Sequence, residues 1–140
     1  MFSYTVEYED YNGVSKKETL YFNISASELL RLQNTTPGGY ADYIQRIVDS
    51  ADNSEIWKAF EDLIRMSYGV KTEDGQHFVK KRDGHNLADD FIDTPAYDTF
   101  MIALISSEKL SADFVNGVIP QDKLQQMIDG ANLTLPGTIG

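Results

Sequence analysis

Asp52-Asn53-Ser54-Glu55-Ile56-Trp57-Lys58-Ala59-Phe60-Glu61-Asp62-Leu63-Ile64-Arg65-Met66-Ser67-Tyr68-Gly69 (residues 52–69) reads as one whole helix with a start and a stop. Asp52 to Glu55 provides an acceptor at the N-cap and a carboxylate three residues on, which can satisfy N–H groups that a helix start leaves unpaired. Ile56, Trp57, Phe60, Leu63, Ile64 and Tyr68 recur at spacings of one, three and four residues, forming one wide apolar stripe, and Trp57 is expected in the core. Glu55, Lys58, Glu61, Asp62 and Arg65 take the opposite side. Gly69 is expected to end the helix as a left-handed residue. From Val70 to Lys80 the chain is polar, carries the turn pair Asp74-Gly75 and returns to the apolar pair Phe78-Val79, the pattern of a folded-back loop able to form a short hairpin.

Toward the N-terminus, Phe2, Tyr4, Val6 and Tyr8 alternate with Ser3, Thr5, Glu7 and Glu9, as in a strand with one buried face. Asn12-Gly13 is a tight-turn pair, and Leu20, Phe22 and Ile24 resume the alternation, so residues 1–24 are expected to form a β-hairpin. A lone two-stranded ribbon is marginal in water, so its apolar face must lie on helices or on another copy of the chain. Ser25-Ala26-Ser27-Glu28 is a capping box opening a short helix with Leu29, Leu30 and Leu32. Pro37-Gly38-Gly39 breaks the chain, and Tyr40, Tyr43, Ile44, Ile47 and Val48 then mark a second amphipathic helix. Beyond Lys80 come a charged turn through His85, a brief helix capped by Asn86, and a helix begun by Thr94-Pro95 with Tyr97, Phe100, Met101, Leu104 and Ile105 as its inward stripe. Another helix with Leu110, Phe114, Val115 and Val118 inward runs to Pro120, Leu124, Met127 and Ile128 allow a last amphipathic turn, and Gly130 to Gly140 is expected as a flexible tail. The expected fold is α+β: an N-terminal β-hairpin followed by a mainly α-helical bundle of about five or six helices. Residues 1–120 are expected to form one domain, with helices over 26–119 and a short helix and tail over 121–140.

The 140 residues carry 22 acidic and 12 basic side chains, a net charge of −10, which argues against nucleic acid or an anionic membrane as the main partner. No apolar run is long enough to cross a bilayer, and Met1-Phe2-Ser3-Tyr4 lacks the pattern of a signal peptide. There is no cysteine, so thiol nucleophiles and cysteine-bound metals are excluded. His77 and His85 lie eight residues apart without metal-ligand spacing and are expected at the surface. Asp49, Asp52 and Glu55 form one acidic group and Asp89, Asp90 and Asp93 another. Neither fits a calcium loop, and helix capping and a solvated face account for both. No glycine pattern cradles phosphate. The residues therefore describe a small acidic binding protein, with no catalytic group, cofactor or metal expected.

Ser67-Tyr68-Gly69-Val70-Lys71-Thr72-Glu73-Asp74-Gly75-Gln76-His77-Phe78-Val79-Lys80 resembles the S-Y-G-x-K-x-x-D-G-x-x-F-x-K segment of tail assembly chaperones from long-tailed phages and prophages of Gram-positive bacteria. Tyr8-Glu9-Asp10-Tyr11-Asn12-Gly13 and Tyr21-Phe22-Asn23-Ile24 are similar to that family's hairpin, and Pro37-Gly38-Gly39 to its break. Thr94-Pro95-Ala96-Tyr97 and Phe114-Val115-Asn116-Gly117-Val118-Ile119-Pro120 resemble two later strings, in the same order. Lys81 to Asn86 departs from the family's plainer charged helix start. The resemblance implies a non-enzymatic factor of the host cell cytoplasm, absent from the finished virion, that keeps the tape measure protein soluble and helps major tail protein polymerise around it. The alternative is a structural tail or head-completion subunit. Client contact on such a domain falls to stripe residues that the core need not fully use: Tyr40, Tyr43, Trp57, Tyr97 and Met101, each of which also fits a core position. The hairpin's edges offer a route to a homo-oligomer.

Overall fold

The computed structural model describes residues 1–131. In chain order its elements are β1 (Phe2–Glu9), β2 (Ser15–Phe22), α1 (Ala26–Thr35), α2 (Tyr40–Ser50), α3 (Asn53–Ser67), β3 (Tyr68–Lys71) and β4 (Phe78–Val79). They continue with β5 (Lys81–Arg82), β6 (His85–Asn86), α4 (Leu87–Phe91), α5 (Pro95–Ser106), α6 (Glu108–Val118) and α7 (Gln121–Ala131). The expected α+β class, a hairpin followed by helices, is the observed one. The expected tail from Gly130 falls mostly outside the described residues; Gly130 and Ala131 themselves close α7.

The chain divides into two compact units, one of Met1–Asn23 with Phe60–Val118 and the other of Ile24–Ala59 with Ile119–Gly140. The first holds a four-stranded sheet in the order β1-β2-β3-β4 and the separate β5-β6 ribbon. β1 and β2 pair antiparallel from Phe2↔Phe22 to Glu9↔Ser15. The turn is wider than a two-residue Asn-Gly loop. Asp10 organises it, its Oδ1 accepting from the N–H groups of Asn12 and Val14 at 2.9 Å each, and Gly13 takes the left-handed φ of 78°. A β-turn followed by a left-handed glycine is the usual solution for a three-residue hairpin loop.

One face of this sheet is dry. Val6, Leu20 and Phe22 are buried, and α5 and α6 pack on β1. Phe22 stacks on Phe100 with centroids 4.8 Å apart, and both meet Phe114 edge-on at 5.3 and 5.4 Å. Phe2 closes the cluster against Phe114 at 5.3 Å. Burial of each such ring contributes roughly 1.5–3 kcal/mol, so this cluster is the main source of cohesion in the first unit.

Gly69 departs from expectation. α3 gives way directly to β3 at Tyr68, and Gly69 lies in the strand, paired with Tyr21. A Cβ there would stand 2.6 Å from Phe78 Cε2 and 2.7 Å from the Val79 carbonyl oxygen. The glycine therefore serves the close approach of β4. The segment after it is the short hairpin, with Val70↔Val79 and Lys71↔Phe78 as pairs. The charged turn beyond Lys80 is a second hairpin, β5-β6, whose Asp83 and Gly84 both have positive φ, 53° and 79°. Two successive left-handed residues of Asp-Gly type define the I′ turn that matches strand twist.

The second unit is helical. Ser25 caps α1 reciprocally: its Oγ accepts from the Glu28 N–H at 3.2 Å, and Glu28 Oε1 accepts from the Ser25 N–H at 2.9 Å. α1 packs on α2 and α7, burying Leu29, Ile44, Leu124 and Ile128. The Pro37-Gly38-Gly39 break is pinned from α1, where the buried Gln33 Oε1 accepts from the Tyr40 N–H. Gly38 and Gly39 have φ of 78° and 93°, and a Cβ on Gly39 would meet that oxygen at 2.8 Å. α2 ends at left-handed Ala51, and Asp52 caps α3 as expected, its Oδ1 accepting from Ser54 and Glu55 N–H groups at 3.1 and 3.4 Å.

Candidate functional site

Small polar clusters have structural duties here. Asp52 is a cap, Asp49 Oδ1 accepts from Gln45 Nε2 at 2.8 Å, and Asp89 pairs with Arg65 at 3.0 Å. His77 and His85 are both exposed. Among the described residues no group of three or more His, Asp or Glu side chains could hold a metal ion, and no helix is long and apolar enough to cross a membrane. In the first unit, Tyr68 and Phe91 line an open cleft of about 200 Å³ together with Glu18, Val70, Arg82, Leu87, Asp90 and Thr94. Their rings stack with centroids 4.0 Å apart. Neither histidine lines this cleft.

Burial pushes the Tyr68 hydroxyl above its ordinary pKa of 10.0, with the Glu18 carboxylate and Tyr8 adding to the shift. Burial does the same to Tyr97, where Glu61 reinforces and Arg65 opposes it. For a tyrosine a raised folded pKa means that the native state holds its proton longer than the unfolded chain. The contribution to stability is complete below pH 10 and is lost as pH climbs past 10 toward the folded values. Phenolate absorbance during an alkaline titration is expected to rise later in the native protein than in the denatured chain, with the melting temperature falling over that interval. Coincident titration of native and denatured protein would contradict these burial shifts.

The five stripe residues singled out by sequence separate sharply by exposure. Tyr40 at 6% and Met101 at 1% are interior, and Tyr97 is half-buried with its ring edge-on to Phe91 at 5.7 Å. Tyr43 is 38% and Trp57 44% exposed. Trp57 thus does not sit in the core, although it lies on the apolar side of α3, because the buried part of the stripe begins only at Ala59 and Phe60. Tyr40, Tyr43 and Trp57 belong to the second unit, Tyr97 and Met101 to the first. Tyr43 leans on Tyr40 with centroids 5.9 Å apart. Along α2, Ile47 and Val48 are also only partly covered, leaving a helix whose apolar stripe exceeds what its own unit buries.

Sequence reasoning passed over Ile102 and turned Ile105 inward; they are 60% and 37% exposed. The signal was present in the unbroken run Met101-Ile102-Ala103-Leu104-Ile105, because five consecutive apolar residues at 100° per residue cannot share one helix face. Of the three residues expected to mark a last amphipathic turn, Leu124 and Ile128 are buried and Met127 is 55% exposed.

Comparison with known proteins gives one family. The model of a family described as phage tail assembly chaperone matches residues 1–133. No curated protein and no solved structure matches the chain.

Proposed function

Because this chain belongs to the phage tail assembly chaperone family, we propose that it binds the tape measure protein and keeps it soluble while the tail tube assembles around it. The family match over residues 1–133 carries this reading. The partly uncovered stripe of α2 and the exposed Tyr43 and Trp57 support it, since a protein that holds an amphipathic helix must keep apolar surface in reserve. Aromatic side chains suit that task, offering large contact area with few rotatable bonds. Tyr40 then supports that surface from within the second unit, its ring lying against Tyr43. The net charge of −10 keeps a protein with exposed aromatics dispersed. The work is binding without catalysis, done by residues 1–120 in the host cytoplasm, with major tail protein as a further partner and copies of the chain associating around the client.

Particle composition separates this function from that of a structural subunit. The chain is expected in lysates of cells assembling tails and missing from purified particles, as followed by mass spectrometry. Recovery at a fixed number of copies per particle would instead make it a virion component.

A further inference from the structure

We propose that the outer row of α5, Asp98-Ile102-Ile105, docks a partner helix that has an apolar stripe headed by basic side chains. This rests on the reading that the chain holds a helical client, and it adds a contact surface distinct from the Tyr43 and Trp57 aromatics. α5 is apolar on nearly every side: Ala96, Phe100, Met101 and Leu104 are buried inward, and Ile102 and Ile105 stand outward. A helix apolar all round is normally covered all round. Isoleucine is also a poorer helix former than the polar residues an exposed position accepts, so neither burial nor propensity accounts for these two.

The row has direction. Asp98, Ile102 and Ile105 fall at i, i+4 and i+7, a ridge about 10 Å long on one helix face, of the kind that packs into the groove of another helix. Its N-terminal end is acidic: Asp93 and Asp98 are exposed there and form no ion pair among the described residues. The unit as a whole carries fifteen acidic and eight basic side chains. A partner that covers the isoleucines and brings Lys or Arg to the Asp98 end satisfies both features, whereas an acidic-headed helix meets repulsion.

The test uses the full chain and a fluorescent synthetic helix of about 18 residues, with leucines at i, i+3, i+4 and i+7 and two lysines in its first turn. A second peptide carries glutamates in place of the lysines. Fluorescence anisotropy is expected to give binding of the lysine-headed peptide about tenfold tighter at low salt, a preference that shrinks as salt is added. Joint replacement Ile102→Gln and Ile105→Gln is expected to weaken binding at least about tenfold. Asp98→Asn is expected to narrow the preference between the two peptides. Both isoleucines are solvent-facing, and circular dichroism checks that the variant keeps its helices. Equal binding of the two peptides, no binding of either, or undiminished affinity in the Ile102/Ile105 variant overturns the proposal. Tape measure protein is absent from this assay, so such a failure leaves the chaperone reading to its own co-expression test.

Discussion

Phe22→Ala is expected to lower the stability of the first unit by about 3–5 kcal/mol, the range for removing a buried phenylalanine ring from a core that cannot fully collapse around the void. Phe22 is 0% exposed, and five rings surround it: Phe2 at 6.3 Å, Tyr68 at 5.7 Å, Phe91 at 6.1 Å, Phe100 at 4.8 Å and Phe114 at 5.3 Å. These neighbours come from β1, β3, α4, α5 and α6, so no single side-chain movement fills the space. Domain stabilities of about 5–15 kcal/mol make such a loss comparable to the whole. Urea denaturation followed by far-UV ellipticity reports it as a lowered midpoint. Fluorescence of Trp57, the one tryptophan, gives a second probe on α3. A cost below about 1 kcal/mol would mean that the ring cluster does not hold this unit together.

Gly69→Ala is the second large effect, and its sign is the informative part. Glycine inside a strand ordinarily costs roughly 0.5–1 kcal/mol relative to alanine, so propensity alone favours the substitution. Packing reverses that expectation. The new methyl would overlap the Val79 carbonyl oxygen, which is backbone, as well as the Phe78 ring, at 2.7 and 2.6 Å. β3 is held by Tyr21 and Phe22 of β2 on one side and by β4 on the other, so relief requires breaking pairs. Overpacking of this kind costs about 1–3 kcal/mol or more, giving a net loss of stability in thermal melts and weakened amide protection at Val70 and Val79. A variant as stable as the parent would show that β4 does not press on Gly69.

Much of the architecture was legible because local rules and tertiary packing agree. Alternation in Phe2–Tyr8, the Ser25–Glu28 capping box, the Thr94-Pro95 start and the Asp74-Gly75 turn all name elements that formed. Thr94 Oγ1 accepts from the Tyr97 N–H at 3.3 Å, and Gly75 has φ of 73°. Strings that resemble the family are largely such punctuation: caps, left-handed turns and close approaches, including Gly117 of α6, where a Cβ would meet Phe2 at 3.1 Å. What could not be read is tertiary. Gly69 carries the same residue type that ends helices, and only the position of β4 distinguishes the two uses. Ile102, Ile105 and Met127 are indistinguishable from core residues by hydropathy, and how much of a stripe is covered depends on what packs against it. The candidate contact surface was therefore legible as a set of stripes but not as a set of exposed residues: Tyr43 and Trp57 remain outside, and Tyr40 and Met101 went in.

Co-expression with the tape measure protein of the same phage, followed by centrifugation and size-exclusion chromatography, tests the chaperone reading most directly. The tape measure protein is expected to pellet when made alone, to stay in the supernatant when this chain is present, and to elute with it as one complex. Unchanged solubility with no co-elution would contradict the proposed function.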